Sequence, residues 1–313
     1  MKLEPARRDD YVALLRESYG DGALSEAELA WWFDRNPVGP YVQSEARDED
    51  GPPLGALAMS CVRTSVGVGA FVCHGVTAPV ARGRGVYTEL ERHNEAEAAA
   101  QGADWGFCFT NARTLEIFRR LGWTELPPLR LWARLRRPTR RGGGGFRVEP
   151  SCPPFEARHE REFAAAHVLR TAAHLTWRYS DSPRAYHRVE AGGGWAVVRH
   201  RVWKGFSIAA VCEAAGPEVG SDAGEAGAAR PTDRAPAAPP GLSASLRAAV
   251  RAVDSELALA VVNPGEERDY LAAGFLPTPK TMPLVARRLR DEAPPLPVGR
   301  RAWRFTLGDM DFF

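Results

Sequence analysis

Lysine is almost missing from this chain: Lys2, Lys204 and Lys280 stand against 38 arginines. With abundant Ala, Gly and Pro, that bias points to a GC-rich, bacterial coding sequence and says little about function. Net charge is missing too. The 41 Lys+Arg residues nearly cancel the 39 Asp+Glu, leaving a formal +2. That balance argues against nucleic acid, a polyanionic protein or a membrane surface as partner. Cysteine is sparse, and Cys61, Cys73, Cys108, Cys152 and Cys212 form no CxxC pair and no cluster with His. A disulfide scaffold is excluded, no metal site is expected, and the scattered cysteines read as buried, reduced thiols. No run of about 18 apolar residues occurs, as a spanning helix would need. The opening MKLEPARRDD lacks the apolar stretch of a secretory leader. A cytoplasmic location is the expectation.

What is present fits a globular protein: 44% hydrophobic and 26% charged residues over a length of 313, enough for two domains. The TRRGGGG stretch reads as a linker over 139–146, separating a domain at 1–138 from one at 147–313. Residues 214–241 hold almost no large apolar side chain and read as a long mobile loop. Strand patterns at 55–63, 70–77, 105–110 and 129–135 alternate with helix patterns at 86–101 and 112–121. The first helix is expected to carry Ala and Glu on its outer face. The second half reads as a helix at 158–173, a hairpin at 195–200 and 206–211, then helix 242–255, strand 257–262 and helix 266–273. Strands are expected at 282–287 and 303–307, the last closing the second sheet. This is an α/β pattern.

The halves share residues at fixed offsets. Trp31 lies six before Pro37 in WWFDRNP, and Trp177 lies six before Pro183 in WRYSDSP, with Phe33 matching Tyr179. Asn111 opens NARTLEIFRRLGW and Asn263 opens NPGEERDYLAAGF, so that Phe118 matches Tyr270 and Trp123 matches Phe275. Two matches in the same order indicate two copies of one fold.

The segment carrying chemistry is VTAPVARGRGVYTEL, residues 76–90. A strand enters a turn with Gly83 and Gly85, then passes directly into a helix. Glycines let backbone approach a ligand closely. The first helical N–H groups of Val86, Tyr87 and Thr88 have no intrahelical partner and form an anion site with the helix dipole. Arg82 and Arg84 add the charge a diphosphate needs.

This segment resembles motif A of the GNAT superfamily (GCN5-related N-acetyltransferases), where Q/R-x-x-G-x-G/A wraps the pyrophosphate of coenzyme A. NARTLEIFRRLGW resembles motif B, N-x(6)-Y-x-x-L-G-F. The resemblance covers residues 55–135. Around it, the WxxxxNP element and the closing WRFTLGDMDFF resemble a bacterial tandem-GNAT subgroup with a degenerate second copy. The resemblance implies two tandem GNAT-like domains, each a mixed, mostly antiparallel sheet flanked by helices. It also implies a splay between strands 70–77 and 105–110 that takes the pantetheine arm near Val76 and Thr77. Asn111 would bind that arm or cap the following helix.

Two positions depart from the pattern. Tyr87 replaces the last G/A of motif A, and Phe118 stands where the family often has the tyrosine that protonates the departing thiolate. The acid is then water or a hydroxyl such as Tyr87. The position of the glutamate base in some relatives falls at Phe71, which leaves His74 and Asp34 as candidate bases, with Asp309, Asp311 and the carboxylate of Phe313 behind them. No RGxG follows residue 211, so one coenzyme site per chain is expected, in the first domain. Trp31, Trp32, Trp177, Trp195 and Trp203 read either as core or as an aromatic acceptor surface.

The leading expectation is an acetyl-CoA-dependent N-acetyltransferase acting on a primary amine of a small molecule, an amino sugar or a natural-product intermediate. No metal is required, and the chain is a monomer or a dimer. The competing expectation is a non-catalytic acyl-CoA-binding or partner-binding module. A third is a transferase using another acyl or aminoacyl donor.

Overall fold

The computed structural model describes residues 1–39, 41–49, 51–135, 147–148, 151–203, 205–217, 241–299 and 301–310. The linker expected at 139–146 lies outside them. So does most of the loop expected at 214–241, though Ala214 and Ala215 end a strand and are buried.

The chain opens with β1 (Lys2–Pro5), α1 (Arg8–Tyr19) and α2 (Glu26–Leu29), which runs into a π-helical turn at Ala30–Asp34. β2 (Tyr41–Arg47), β3 (Pro53–Thr64), β4 (Gly67–Thr77), α3 (Val86–Ala100), β5 (Trp105–Phe109), α4 (Ala112–Arg120) and β6 (Thr124–Leu135) follow. Next come β7 (Arg147–Val148), β8 (Ala166–His167) and α5 (Ala172–Leu175), which runs into a second π-helical turn at Thr176–Ser180. The chain then forms β9 (His187–Ala191), β10 (Gly194–Trp203), β11 (Phe206–Ala215), α6 (Leu242–Ala252), β12 (Leu257–Val261) and α7 (Glu267–Ala272). It closes with β13 (Leu276–Arg288) and β14 (Trp303–Arg304).

These elements build two compact units that do not follow the chain in two contiguous stretches. The first holds Met1–Pro128, Glu162–Arg184 and Met282–Arg304. The second holds Leu129–Arg161, Ala185–Thr281 and Phe305–Phe313. A division at residue 139 therefore does not describe the units, because long-range strand pairing assigns the later segments.

The first unit orders its strands β1-β2-β3-β4-β5-β13. Only β4 and β5 run parallel; the other pairs are antiparallel. β13 joins through residues 284–288, opposite Trp105–Phe109. β3 is buried along nearly its whole length because α1 and α3 both pack on it, which is why PLGALAMSCVRT reads as an unbroken small-apolar run rather than an alternation. α4 starts where Asn111 accepts from the N–H groups of Arg113 and Thr114, and it stops before Gly122, which has a left-handed φ of 80°.

The helix expected at 158–173 is not formed. Residues 166–167 pair in parallel with 303–304, and Val168 bridges Thr64, so tertiary pairing overrides local propensity. The strand expected at 303–307 is only Trp303–Arg304, and it closes this small pair rather than the second sheet. The α3 expectation also needs correcting. Glu91, Asn94 and Glu95 lie on its buried face beside Val86, Leu90 and Ala98.

The second unit repeats the plan, with strands ordered β6-β12-β11-β10-β9-β7. β11 and β12 are its parallel pair, and α6 packs on β9, β10 and β11.

Candidate active site

The opening in the first sheet comes from β4 parting from β5. Their pairing runs from Gly69 opposite Trp105 to Phe71 opposite Phe107 and then ends. Beyond it β4 keeps only β3 as a partner, while Cys108 and Phe109 turn to β13. In the same stretch Ala56 faces Val76 but Ala58 faces Cys73, so β4 carries one extra residue. This is a β-bulge, and it bends the strand and takes backbone groups out of the ladder. At its centre His74 has φ 52°, a left-handed conformation that histidine seldom adopts. α1 holds the bulge from one side. The Tyr11 hydroxyl donates to the His74 carbonyl, and the Tyr19 hydroxyl donates to the Gly75 carbonyl, each at 2.8 Å.

The mouth of the opening is the start of α3. Gly83 and Gly85 have φ near 80° (80° and 79°), and each has open space where a Cβ would stand. The loop from Arg82 to Gly85 is exposed, Val86 is buried, and Thr88 is half-buried. Arg84 pairs with Asp48 at 2.6 Å, and both are about half exposed. Such a surface pair is weak and can yield to a stronger anion. Val76 and Thr77 line the unpaired edge of β4. Asn111 stands two residues past β5, and its side-chain oxygen is committed to capping α4. These residues fit a diphosphate at α3 and an extended arm along β4.

Tyr87 leans from α3 across the bulge. A Cβ on Gly75 would come within 2.8 Å of its ring, so only glycine fits beneath it. Its ring meets Phe118 edge-on, with centroids 6.3 Å apart. Phe118 has no hydroxyl, and the ring packed beside it from the neighbouring helix is a phenol. Burial raises the Tyr87 phenol well above its ordinary value, and the charge of Glu91 acts the same way, as do Cys108, Tyr19 and Cys73. Cys73 and Cys108 belong to the two parted strands.

The candidate bases lie on the α1–α2 side. The His74 ring is half-buried and sits edge-on to Trp32 and Phe33, at centroid distances of 5.6 and 6.1 Å. Asp34 accepts two bonds from Arg8, at 2.7 and 3.1 Å, and one from the Tyr41 hydroxyl at 3.1 Å. Its carboxylate is already occupied by a cation. Asp309 accepts from the Thr306 backbone N–H at 2.7 Å, within the second unit. Asp311 and Phe313 lie outside the described residues.

Trp31, Trp32, Trp177 and Trp195 are all buried, which settles them as core. Within the first unit Trp31 and Trp177 exchange indole N–H bonds to each other's carbonyls, at 2.6 and 2.9 Å. The matching WWFDRNP and WRYSDSP elements thus face each other as a symmetric pair. All five cysteines are buried.

The second unit preserves the bulge but not the opening. Val197 faces Glu213 while Val198 faces Val211, giving β11 its extra residue. The parallel pairing of β11 and β12 ends at Ala210 opposite Leu259. Past that point the unit's own residues 305–310 run between them. The Phe305 N–H donates to the Asn263 side-chain oxygen at 3.0 Å, and the Thr306 hydroxyl meets Glu213 at 3.3 Å. Phe305, Leu307 and Met310 are fully buried there. Tyr270 is packed against Phe275 in this unit's core. The sequence marked this tail as the closing WRFTLGDMDFF and as a strand; its place in the groove is set by Asn263 and Glu213, far away in the chain.

No family model and no curated protein matches the chain. Solved structures do. A GCN5-related N-acetyltransferase from Anabaena variabilis superposes with a TM-score of 0.59 at 12% identity, over 92% of this chain and 73% of that one. An acetyltransferase of Pyrococcus horikoshii, described as putative, gives 0.57 at 13%, over 92% and 89%. A tandem GNAT protein from the clavulanic acid biosynthesis pathway gives 0.55 at 13%, over 93% of this chain and all (100%) of that one. At such identities the likeness establishes the fold, which is the tandem GNAT fold. No helix among the described residues is long and apolar enough to cross a membrane.

Proposed function

We propose that the chain is an N-acyltransferase whose first unit moves an acetyl group from acetyl-CoA to a primary amine of a small molecule. The observation that carries this reading is the pairing of two features on one strand. The left-handed Gly83/Gly85 loop opens onto the start of α3, and the bulged β4 parts from β5 a few residues away. The loop supplies backbone donors for a diphosphate. The bulge turns backbone out of the β3–β4 register, which lets an N–H of β4 point to where a thioester carbonyl gains charge.

Tyr87 is the proton donor to the departing sulfur, in place of the absent hydroxyl at position 118. General acid catalysis of this kind contributes roughly 10²–10⁴ in rate. His74, on the bulge itself, is the better placed base. Asp34 is held by Arg8 and Tyr41, which leaves it a poorer base than His74. The polar rim of Asp34, Tyr41 and Tyr19 suits an amine that also carries hydroxyls, such as an amino sugar. One of the similar folds works in clavulanic acid biosynthesis, which keeps a natural-product intermediate beside it as acceptor. The second unit holds no donor, because residues 305–310 fill its groove.

Calorimetry with CoA and a thiol-release screen of amines test this. The wild-type chain binds CoA, and Gly85→Val weakens binding at least tenfold, since a branched residue at φ 79° is strained and stands in the open space a diphosphate would take. Undiminished affinity in that variant would refute the site. Tight CoA binding with no turnover of any amine would favour a non-catalytic acyl-CoA module.

A further inference from the structure

α3 carries a column of ionisable side chains that acyl transfer at the bulge leaves unexplained. Tyr87, Glu91 and Glu95 are four residues apart, so they share one face of the helix at about 6 Å of rise per step. Glu91 and Glu95 are buried there, and Tyr87 is half-buried. Glu91 is completely buried, and neither of its carboxyl oxygens has a hydrogen-bond partner. A buried polar group left unsatisfied is costly and calls for a reason. Burial keeps the carboxyl protonated, and the neighbouring charge of Glu95 adds to this, against an opposing pull from Arg287.

The two ends of the column differ. Tyr87 packs on Phe118 and over Gly75 of β4, within electrostatic reach of Glu91, Cys108 on β5, Tyr19 on α1 and Cys73 on β4. Glu95 accepts from the Trp123 indole at 2.7 Å and pairs with Arg287 at 2.9 Å. It also lines an open recess of about 420 Å³ together with Arg92, Arg120, Arg287 and Arg288. The column therefore runs from the parted strands to solvent on another side of the unit.

We propose that Glu91 is the proton source that restores Tyr87 in each turnover, refilled from the recess through Glu95. The proposal rests on Tyr87 as the acid. As the amine nitrogen bonds to the acyl carbon, the carbon–sulfur bond breaks and its electron pair stays on sulfur. Tyr87 gives its hydroxyl proton to that sulfur and becomes a phenolate. The Glu91 carboxyl, which is not hydrogen-bonded at rest, turns to the phenolate one helical turn away and gives it its proton. Water in the recess returns a proton to Glu91 by way of Glu95. The amine's surplus proton leaves on the acceptor side, so one proton enters for each one released. The arrangement answers a difficulty, because a buried phenol alone is a poor donor to a thiolate.

The test uses the full chain as wild type, Glu91→Gln, Glu91→Asp, Glu95→Gln and Tyr87→Phe. In the protein without ligand, tyrosine ionisation is followed by absorbance on raising the pH. The step absent from Tyr87→Phe marks Tyr87. It is expected at lower pH in Glu91→Gln, where the facing carboxylate is gone. An unmoved step overturns the coupling whether or not turnover is seen. CoA release from acetyl-CoA is then followed with glucosamine as probe amine, or as background hydrolysis if glucosamine is not used. Glu91→Gln is expected to lower kcat about 10- to 100-fold with CoA affinity intact. Glu91→Asp should recover part of the loss, and Glu95→Gln should show a smaller loss. Adding Glu91→Gln to Tyr87→Phe should cost little more, since Glu91 acts only through Tyr87. Normal turnover in Glu91→Gln with impaired Tyr87→Phe overturns the relay and leaves Tyr87 as the acid. Normal turnover in both overturns the Tyr87 assignment and the relay with it.

Discussion

Replacing Glu91 by glutamine should change how stability depends on pH, before any substrate is added. In the unfolded chain this carboxyl titrates near 4.5, while burial raises it well above that value in the folded unit. Below pH 4.5 both states hold the proton and Glu91 adds no slope. Above it the unfolded state releases its proton and the folded state does not, so stability falls as pH rises, until the folded carboxyl also ionises. The slope is about 1.36 kcal/mol per pH unit for one proton. That slope holds for as long as the folded carboxyl keeps its proton, so the loss accumulates with each further pH unit through this residue alone. Glutamine cannot titrate. Its buried amide contributes a constant offset, but the offset has no slope. Plotted against pH, the stability difference between Glu91→Gln and wild type should be flat at pH 4 and climb in favour of the variant towards pH 7. Glu95 is raised in the same direction by burial, and it is present in both proteins, so it largely cancels. Urea unfolding at closely spaced pH values measures this directly. In thermal melts each kcal/mol corresponds to about 2–4 °C for a domain of this size. Parallel curves from pH 4 to 8 would refute the claim that a protonated Glu91 sits in this core.

Titration with CoA should give one site per chain, and native mass spectrometry showing two bound CoA molecules would contradict the filled groove of the second unit. Tyr270→Phe should leave CoA release unchanged, because this hydroxyl belongs to the second unit's core; a thousandfold loss of turnover would place the acid there. Trp31→Phe and Trp177→Phe should each lower stability by about 1–3 kcal/mol, since each leaves a buried carbonyl without its donor. The double variant should lose less than the sum, and strict additivity in urea unfolding would argue against a reciprocal pair. Burial pushes the Cys61 thiol up to about 11, so about 10⁻⁴ of it is thiolate at pH 7. Labelling with a thiol reagent should be slow in the folded protein and fast in urea.

The local grammar was legible in the sequence wherever neighbours along the chain determine the structure. RGRG before VYTEL placed the turn and α3, and Asn111 placed the cap of α4. The offsets of Trp31 and Trp177 disclosed the duplication, although only coordinates show that the two elements bond to each other. What escaped was decided by partners far away in sequence. The residues at 158–173 read as a helix, yet 166–167 pair with 303–304 and Val168 bridges Thr64. The acidic residues of α3 look like a solvent face, because Glu is almost always one. Glu91 breaks that rule without any sequence signal except its phase, four residues after Tyr87 and one after Leu90. The missing hydroxyl at Phe118 was visible, but its relation to Tyr87 needed the Gly75 surface over which Tyr87 leans.

The completion of the first unit by residues 282–288 has a consequence for how the protein is made. β5 has its outer neighbour only when Met282–Arg304 has been synthesised, long after Pro128 has left the ribosome. At roughly 5–20 residues per second, that interval is on the order of 10–35 s. Throughout it, the strand bearing Phe107 and Phe109 is a bare apolar edge, the kind of surface that pairs with other nascent chains. The first half of this chain cannot finish folding as it emerges, and must be shielded until the last strand arrives to close it.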